Sequence, residues 1–205
     1  MHNLKKAVKA TIISLIVALL FVIGLFFLLF AIFGDEINWA ISTIDLISVD
    51  KGKYEQVEIS MDKETKKIKN YPEYGTEYAN IKIEKIDVDL PVYFGDDLNT
   101  LKKGVGHSSG SYFPGEGGSI IYMGHNSKDT FRRFSELEIG DKIIVTTSYG
   151  EFEYVIYNYK IIHETDLEEL PIQKEEEILM VYTCYPLHNI GYAYQRYVVY
   201  ANLVD

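Results

Sequence analysis

An uncharged apolar stretch near the N-terminus places the strongest constraint on how this chain can fold. It runs for 25 residues, from Ala10 to Gly34, and as a helix it would extend roughly 37 Å, enough to cross a bilayer core of about 30 Å with some tilt. A secretory signal peptide has a shorter apolar region, about 7–15 residues, and ends in a small-residue cleavage site. This stretch ends in AIFGD, a poor cleavage site. We therefore predict an uncleaved transmembrane anchor over residues 10–34 rather than a buried core helix.

The charges beside the anchor predict its orientation. Three lysines precede the apolar stretch and two acidic residues follow it: Lys5, Lys6, Lys9, Asp35 and Glu36. Because basic residues mark the cytoplasmic flank of a membrane helix, we predict that residues 1–9 are cytoplasmic and that the rest of the chain is extracellular. Lipid contact is then expected through the anchor alone.

The predicted extracellular part is acidic and contains the chain's one cysteine. Residues 35–205 hold 17 basic and 30 acidic residues, a net charge of −13, which argues against a nucleic-acid partner because phosphate binding needs a basic face. A single cysteine, Cys184, forms no intramolecular disulfide. In an extracellular domain such a thiol indicates a reactive group, although a buried cysteine also serves as a small apolar residue.

Hydrophobic periodicity divides the extracellular part into a linker and a β domain. Residues 35–76 are mostly polar, and their charge runs are typical of a solvated linker. From residue 77 onward, apolar or alternating segments of strand length follow one another, at 79–86, 88–93, 119–123, 142–147, 152–162, 177–183 and 192–203. Seven or eight short strands predict a mostly β domain, closed into a barrel, over residues 77–205. Residues 96–103 and 130–137 have helical spacing, and 104–118 is predicted to be a loop.

Cys184 is placed where a nucleophile is well supported. It ends the predicted strand ILMVYTC, and a strand end is a rigid platform with an exposed rim. A thiol is mostly protonated at neutral pH, so it needs a cationic neighbour or a base. That requirement predicts a histidine and a cation brought close by the fold.

Three histidines are candidates for the base. His125 directly follows a buried apolar strand and should lie at the rim of the sheet. His107 is also next to a glycine at a strand or loop boundary, and His188 lies four residues after the cysteine. The pattern favours His125 without excluding the other two.

Arg196 is the candidate for stabilising the oxyanion that forms when a thiolate attacks an amide. It lies inside the last predicted strand, among apolar and aromatic residues. Because sequential strands joined by a short loop often pair, Arg196 is expected beside Cys184. The alternative is an arginine that simply faces solvent.

Several ordered motifs carry a resemblance to a known family. Thr183-Cys184 ends a strand, with Arg196 following 12 residues after the cysteine, and Gly124-His125-Asn126 ends an earlier strand. The segments LPV, GHSSGSYFPG and LEIGD occur in order at residues 90–92, 106–115 and 137–141. Together, over residues 78–203, these motifs resemble the sortase family of cysteine transpeptidases. One departure is Tyr182, where many members have Thr or Ser.

The resemblance implies a fold, a catalytic set and a reaction. It implies an eight-stranded sortase β-barrel with His125, Cys184 and Arg196 as catalytic residues, and with Thr183 and Tyr185 expected to contact the substrate. The implied reaction cleaves an LPxTG-like C-terminal sorting motif of a surface protein between Thr and Gly. A Cys184 thioacyl intermediate is then resolved by an amine of a peptidoglycan precursor. The single N-terminal anchor and the sequence TCYP are most similar to class D, with class A next.

No cofactor is expected, with one alternative. Some class A members bind Ca2+, and the acidic residues between 166 and 177 are a candidate site, although a solvated loop is the simpler interpretation. Two other functions are compatible with the residues: a hydrolytic thiol protease on the same site, and a non-enzymatic surface adhesin in which Cys184 lies far from His125 and Arg196.

Overall fold

The computed structural model describes residue 9 and residues 11–30, 57–187 and 192–204. In this part of the chain, one helix is long and apolar enough to cross a membrane: α1, Thr11–Phe30, of 20 residues. None of its apolar window is buried, which argues against the alternative of a core helix. The predicted cytoplasmic tail, apart from Lys9, and residues 31–56 lie outside the described residues.

Eight strands in the described residues form a closed barrel, which confirms the predicted fold class. They are β1 (Glu77–Ile83), β2 (Val88–Phe94), β3 (Val105–His107), β4 (Ser119–Met123), β5 (Lys142–Thr147), β6 (Gly150–His163), β7 (Ile178–Tyr185) and β8 (Gln195–Leu203). Their order around the barrel is β1-β2-β3-β4-β7-β8-β6-β5. The β2–β3 and β4–β7 pairs are parallel and the other pairs are antiparallel. Short helices complete the domain: α2 (Leu98–Lys103) and 3-10 turns at Glu84–Ile86, Phe134–Glu136 and Leu167–Glu169.

Alternation along β4, β7 and β8 sends side chains into two apolar layers. One set points into the barrel core, formed in these strands by Ile120, Tyr122, Leu179, Val181, Tyr197, Val199 and Ala201. The other set forms an outer cluster of Ile121, Met123, Ile162, Met180, Val198 and Tyr200, with Leu101 of α2 and Leu170 packed against it. Since successive side chains of a strand point to opposite faces, these three strands are apolar on both faces and are buried within the domain.

Two predicted elements differ in the structure. The predicted loop 104–118 contains β3, whose three residues are too few to show an alternating pattern. The predicted helix 130–137 is mostly turns, with a single 3-10 turn at Phe134–Glu136. Side-chain bonds explain the second difference, because the Thr130 hydroxyl bonds with Ser127 and with the carbonyl of His125, and such bonds compete with a helical backbone.

The predicted linker is also shorter than expected at its C-terminal end. Ile59 and Ile68 are 3% and 6% exposed and belong to the barrel core. Met61 and Ile68 form a β-bridge, and the Ile68 N–H donates to Glu116 Oε1 at 3.0 Å. Two well-spaced isoleucines in a polar segment are enough to pack it against the barrel, so the folded domain includes residues from 57 onward.

His107 lies at the centre of a buried polar network. Its Nδ1 is 2.8 Å from the Tyr78 hydroxyl, and its Nε2 is 2.9 Å from the Ser111 hydroxyl. The Tyr78 hydroxyl is also 2.8 Å from that of Tyr122. Burial lowers the pKa of His107 to about 3, because a low-dielectric environment disfavours the imidazolium. The ring therefore stays neutral and holds the loop between β3 and β4.

We expect His107 to make the stability of the barrel sensitive to acid. Between about pH 6.5 and pH 3 the unfolded chain binds a proton that folded His107 does not, so the free energy of unfolding should fall as the pH decreases. His107→Gln should flatten this slope while lowering stability at pH 7. Urea unfolding followed by near-UV circular dichroism would measure both. The exposed His163→Gln is the matched control, and an unchanged slope in His107→Gln would contradict the expectation.

Candidate active site

The end of β4 and the end of β7 lie side by side. In their parallel register Met123 pairs with Tyr182. One residue further on, the Gly124 N–H donates to the Tyr182 carbonyl at 3.1 Å, and the Thr183 hydroxyl donates to the Gly124 carbonyl at 2.8 Å. The two chains therefore remain adjacent beyond the last paired residue of β4.

His125 and Cys184 are the next residues of these two chains. A second link lies on their far side, where Asn126 Nδ2 donates to the Pro186 carbonyl at 3.2 Å. Both residues therefore lie between two hydrogen-bonded cross-links that join the neighbouring chains. The structure brings together the predicted nucleophile and the histidine that the pattern favoured.

Arg196 lies directly opposite Cys184. The two form a pair in the antiparallel register of β7 and β8, and directly opposite residues point their side chains to the same face of a sheet. The expected pairing of the last two strands is therefore present, and it places the guanidinium next to the thiol.

Strand parity puts the side chains of Cys184 and Arg196 on the face of the outer cluster. Cys184 lies four residues after Met180 in β7, and Arg196 lies two residues before Val198 in β8, so each points to the same face as that member of the outer cluster. His125 lies two residues beyond Met123, the last residue of β4. The Cys184 and Arg196 side chains are therefore on the outside of the barrel, beside the buried outer cluster, and not in the barrel core.

The backbone of His125 is fixed by the turn that follows it. Its carbonyl accepts hydrogen bonds from the Phe131 N–H, at 3.1 Å, and from the Thr130 hydroxyl. Phe131 is fully buried and packs against Gly124, where an added Cβ would lie 2.6 Å from the ring. A glycine before the histidine is therefore required by close packing, and any larger residue would displace the turn.

Burial keeps both reacting groups close to their neutral forms. It lowers the pKa of His125, with the positive charge of Lys102 acting in the same direction. Burial also raises the pKa of Cys184; the charge of Arg196 opposes this shift and that of Glu164 adds to it. His125 Nε2 is buried and has no hydrogen-bond partner among the residues that the structure describes. A neutral imidazole with an unused ring nitrogen is prepared to exchange a proton with the thiol or with a substrate amine.

Three acceptors hold the guanidinium of Arg196. Nη1 donates to the carbonyls of Ala193 and Gln195, at 2.6 and 2.9 Å, and Nη2 donates to Glu164 Oε2 at 2.8 Å. The Arg196 side chain is 21% exposed. It is a largely enclosed cation beside a thiol, an arrangement suited to binding a developing oxyanion.

The side chains of Thr183 and Tyr185, on either side of Cys184, point towards the barrel core. Thr183 is 1% exposed, and its hydroxyl is used by the Gly124 carbonyl. Tyr185 is half-buried, packs against the barrel core and has its ring 6.2 Å from that of Tyr197. Their side chains alternate with Cys184, so they lie on the opposite face of β7.

Among the residues that the structure describes, the two other histidines do not join this group. His107 is buried in its network with Tyr78 and Ser111. His163 is exposed, with its Nδ1 2.8 Å from the Thr165 hydroxyl. His188 lies outside the described residues.

The acidic segment proposed for Ca2+ is partly engaged with protein groups. Glu177 accepts from the backbone N–H groups of Gly115 and Gly117 and from the Tyr154 hydroxyl, at 2.7–2.8 Å. Glu169 is paired with Lys160 at 2.6 Å. Within residues 57–187 and 192–204, no three His, Cys, Asp or Glu side chains are arranged to hold a metal ion.

Glu164 also contacts this site, although no sequence pattern indicates it. It follows β6, and no spacing motif relates it to Arg196, 32 residues later. The antiparallel pairing of β6 with β8, in which His163 pairs with Gln195, brings the two together.

Comparison with known proteins agrees with this geometry. A model of the Sortase domain matches residues 81–204. The chain is 42% identical to Sortase D of Bacillus subtilis (strain 168) over 146 residues, which cover 71% of this chain and 73% of that protein.

Solved structures show the same barrel. A Sortase D5 transpeptidase of Clostridium perfringens is similar with a TM-score of 0.59 and 31% identity, over 66% of this chain and 83% of that one. Sortase C from Clostridium perfringens SM101 is similar with a TM-score of 0.58 and 28% identity, over 64% and 72% of the two chains. The match to class D proteins agrees with the class that the motifs favoured.

Proposed function

Because this chain belongs to the sortase family of cysteine transpeptidases, we propose that it cleaves an LPxTG-like sorting motif between Thr and Gly and transfers the new C-terminus to a peptidoglycan precursor amine. Membership of the family makes it a cell-wall transpeptidase whose substrates carry sorting signals and whose acceptors are cell-wall amines. The particular motif, the bond and the acceptor are the proposal.

The proposed mechanism gives each of the three side chains one role. The Cys184 thiolate attacks the carbonyl of the motif's Thr, and the thioester forms as the Thr–Gly bond breaks. His125 protonates the departing Gly amine and later takes a proton from the incoming amine. Arg196 donates hydrogen bonds to the oxyanion of each tetrahedral intermediate and to the substrate backbone.

One observation carries this proposal. His125, Cys184 and Arg196 come from three different parts of the sequence and lie at adjoining positions. Cys184 pairs with Arg196 in β7 and β8, and His125 lies beside Cys184, just beyond the end of β4. A non-enzymatic surface adhesin, in contrast, would have Cys184 far from the other two residues, and nothing in this geometry favours it.

The two residues that flank Cys184 offer their backbone to a bound peptide. Thr183 and Tyr185 would contribute backbone contacts to the peptide, because their side chains face the barrel core.

The same proposal assigns a place to each part of the chain. Helix α1 fits a membrane anchor, in keeping with the membrane association of the family. We assign residues 1–9 to the cytoplasm, 10–34 to the anchor, and the barrel with the segment before it to the outer face of the cell, on the charge asymmetry beside the anchor.

A ligation assay tests the proposal. The full chain in detergent would be incubated with peptides carrying LPxTG-like motifs, with and without a peptide amine. We expect cleavage after the Thr and a new amide with the added amine, detected by mass spectrometry. The matched control is a peptide with the Leu-Pro pair reversed. Cleavage with water as sole acceptor would favour the hydrolytic protease, and cleavage of neither peptide would contradict the proposal.

A further inference from the structure

The guanidinium of Arg196 is held by the carboxylate of the residue that follows β6. Glu164 Oε2 accepts from Arg196 Nη2 at 2.8 Å, and each side chain is 21% exposed. In each of the other ion pairs between described residues, at least one side chain is 38% exposed or more. Because exposed ion pairs are weak and readily exchanged for water, this enclosed pair is better placed than the others to fix a side chain.

Glu164 is itself fixed by the segment that leads into β8. Its backbone N–H donates to the Tyr194 carbonyl at 2.8 Å, and the Tyr192 hydroxyl donates to its Oε1. Arg196 Nη1 donates to the Ala193 and Gln195 carbonyls of the same segment. The segment that leads into β8 therefore contacts both groups: the carboxylate through the Tyr192 hydroxyl, and the guanidinium through two backbone carbonyls.

The geometry leaves part of the guanidinium for a substrate. An arginine has five N–H donors in a planar fork, and the contacts with described residues use three of them. Those three contacts fix the plane of the fork, so the direction of the remaining N–H groups is set before any substrate arrives.

We propose that Glu164 is a positioning residue, which fixes the Arg196 guanidinium opposite Cys184 so that its remaining N–H groups face the scissile carbonyl. The inference rests on the oxyanion role proposed above for Arg196. A preorganised donor lowers the barrier because it does not have to reorient during the reaction.

The negative charge of Glu164 makes it possible to distinguish a role in positioning Arg196 from a direct electrostatic effect on the Cys184 thiol. The carboxylate raises the pKa of the Cys184 thiol and so disfavours the thiolate that attacks. If Glu164 acted on the thiol alone, removing its charge would help the reaction. If it acts through Arg196, removing the charge slows turnover even though the thiolate becomes easier to form.

The test is a double-mutant cycle on the full chain in detergent, with Glu164→Gln, Arg196→Gln and the double variant. We expect Glu164→Gln to lower kcat about 10-fold or more with KM changed less than about 3-fold, and to have little further effect once Arg196 is replaced. Tyr192→Phe should lower kcat in the same direction by a smaller factor. The matched control is Glu169→Gln, which removes an equal charge from a nearby ion pair with Lys160 and should leave kcat unchanged.

A wild-type kcat in Glu164→Gln would overturn the inference. So would a loss of kcat in the double variant equal to the product of the two single-variant losses. A second readout separates its failure from failure of the proposed function: the pH dependence of Cys184 alkylation by iodoacetamide, which needs no substrate. If Glu164 acts through Arg196, Glu164→Gln should shift this profile by different amounts in the wild-type and Arg196→Gln backgrounds. Equal shifts would reject the positioning role, whether or not any sorting peptide is cleaved.

Discussion

Cys184→Ala is expected to abolish transpeptidation while leaving the barrel folded. The proposed thioester cannot form without the sulfur, so the rate of peptide cleavage should fall at least about 10⁴-fold, the range found when a catalytic nucleophile is removed. Since the chain has one cysteine, no other thiol can replace it. The measurement is product formation from a sorting peptide and an amine, followed by mass spectrometry.

Two controls separate a chemical loss from a folding loss. Cys184 is only half-buried, so the melting temperature of Cys184→Ala should stay within about 5 °C of the wild type. The wild-type enzyme should also yield a covalent adduct with a slowly resolved sorting peptide, which Cys184→Ala should not form. Cleavage by the alanine variant at more than about one hundredth of the wild-type rate would contradict the assignment, because removal of a nucleophile costs far more than that.

The strands, and the pairing of Cys184 with Arg196, could be predicted from the sequence because they depend on local patterns. Alternation in segments such as 79–86 follows the two faces of β1, and the short connection between the last two strands favours their pairing. The rim position of His125 follows from the apolar strand before it. These predictions use residues that are neighbours in the sequence or in a hairpin.

Local sequence pattern favoured His125 as the base but could not exclude the other histidines. His107 and His125 are each next to a glycine at the end of a short strand, and the structure separates them by distant packing. His107 is enclosed by Tyr78 and Phe113, with ring centroids 5.5 and 4.6 Å away, whereas His125 lies beside Cys184, just beyond the end of β4. The resemblance to a family, rather than periodicity, was what separated them in the sequence.

Two further features could not be predicted from the sequence: the parallel pairing of β4 with β7, and the ion pair of Glu164 with Arg196. Both depend on the order of strands around the barrel, in which β4 lies next to β7 and β8 next to β6. Strand order in a closed barrel is set by the packing of all eight strands, so no single segment encodes it. The packing of Ile59 and Ile68 into the barrel core could not be predicted either, because it also depends on contacts between distant parts of the chain.

Arg196→Lys is expected to lose most of the activity although it keeps the positive charge. A lysine ammonium is a compact point charge, whereas the guanidinium is a planar fork that can bind Glu164 and still present N–H groups to an oxyanion. Loss of one oxyanion donor lowers kcat about 10²–10³-fold, and we expect a decrease of that size. Steady-state kinetics with a sorting peptide and a saturating amine would measure it.

Arg133→Lys is the matched control, because it makes the same substitution in an arginine that pairs with Asp87 and Glu136 at the surface. It should leave kcat and KM unchanged. Alkylation of Cys184 should remain possible in Arg196→Lys, since a cation still stands opposite the thiol, and this would show that the loss arises after the thiolate forms. A near-wild-type kcat in Arg196→Lys would mean that charge alone suffices, and the planar fork held by Glu164 would then have no part in stabilising the oxyanion.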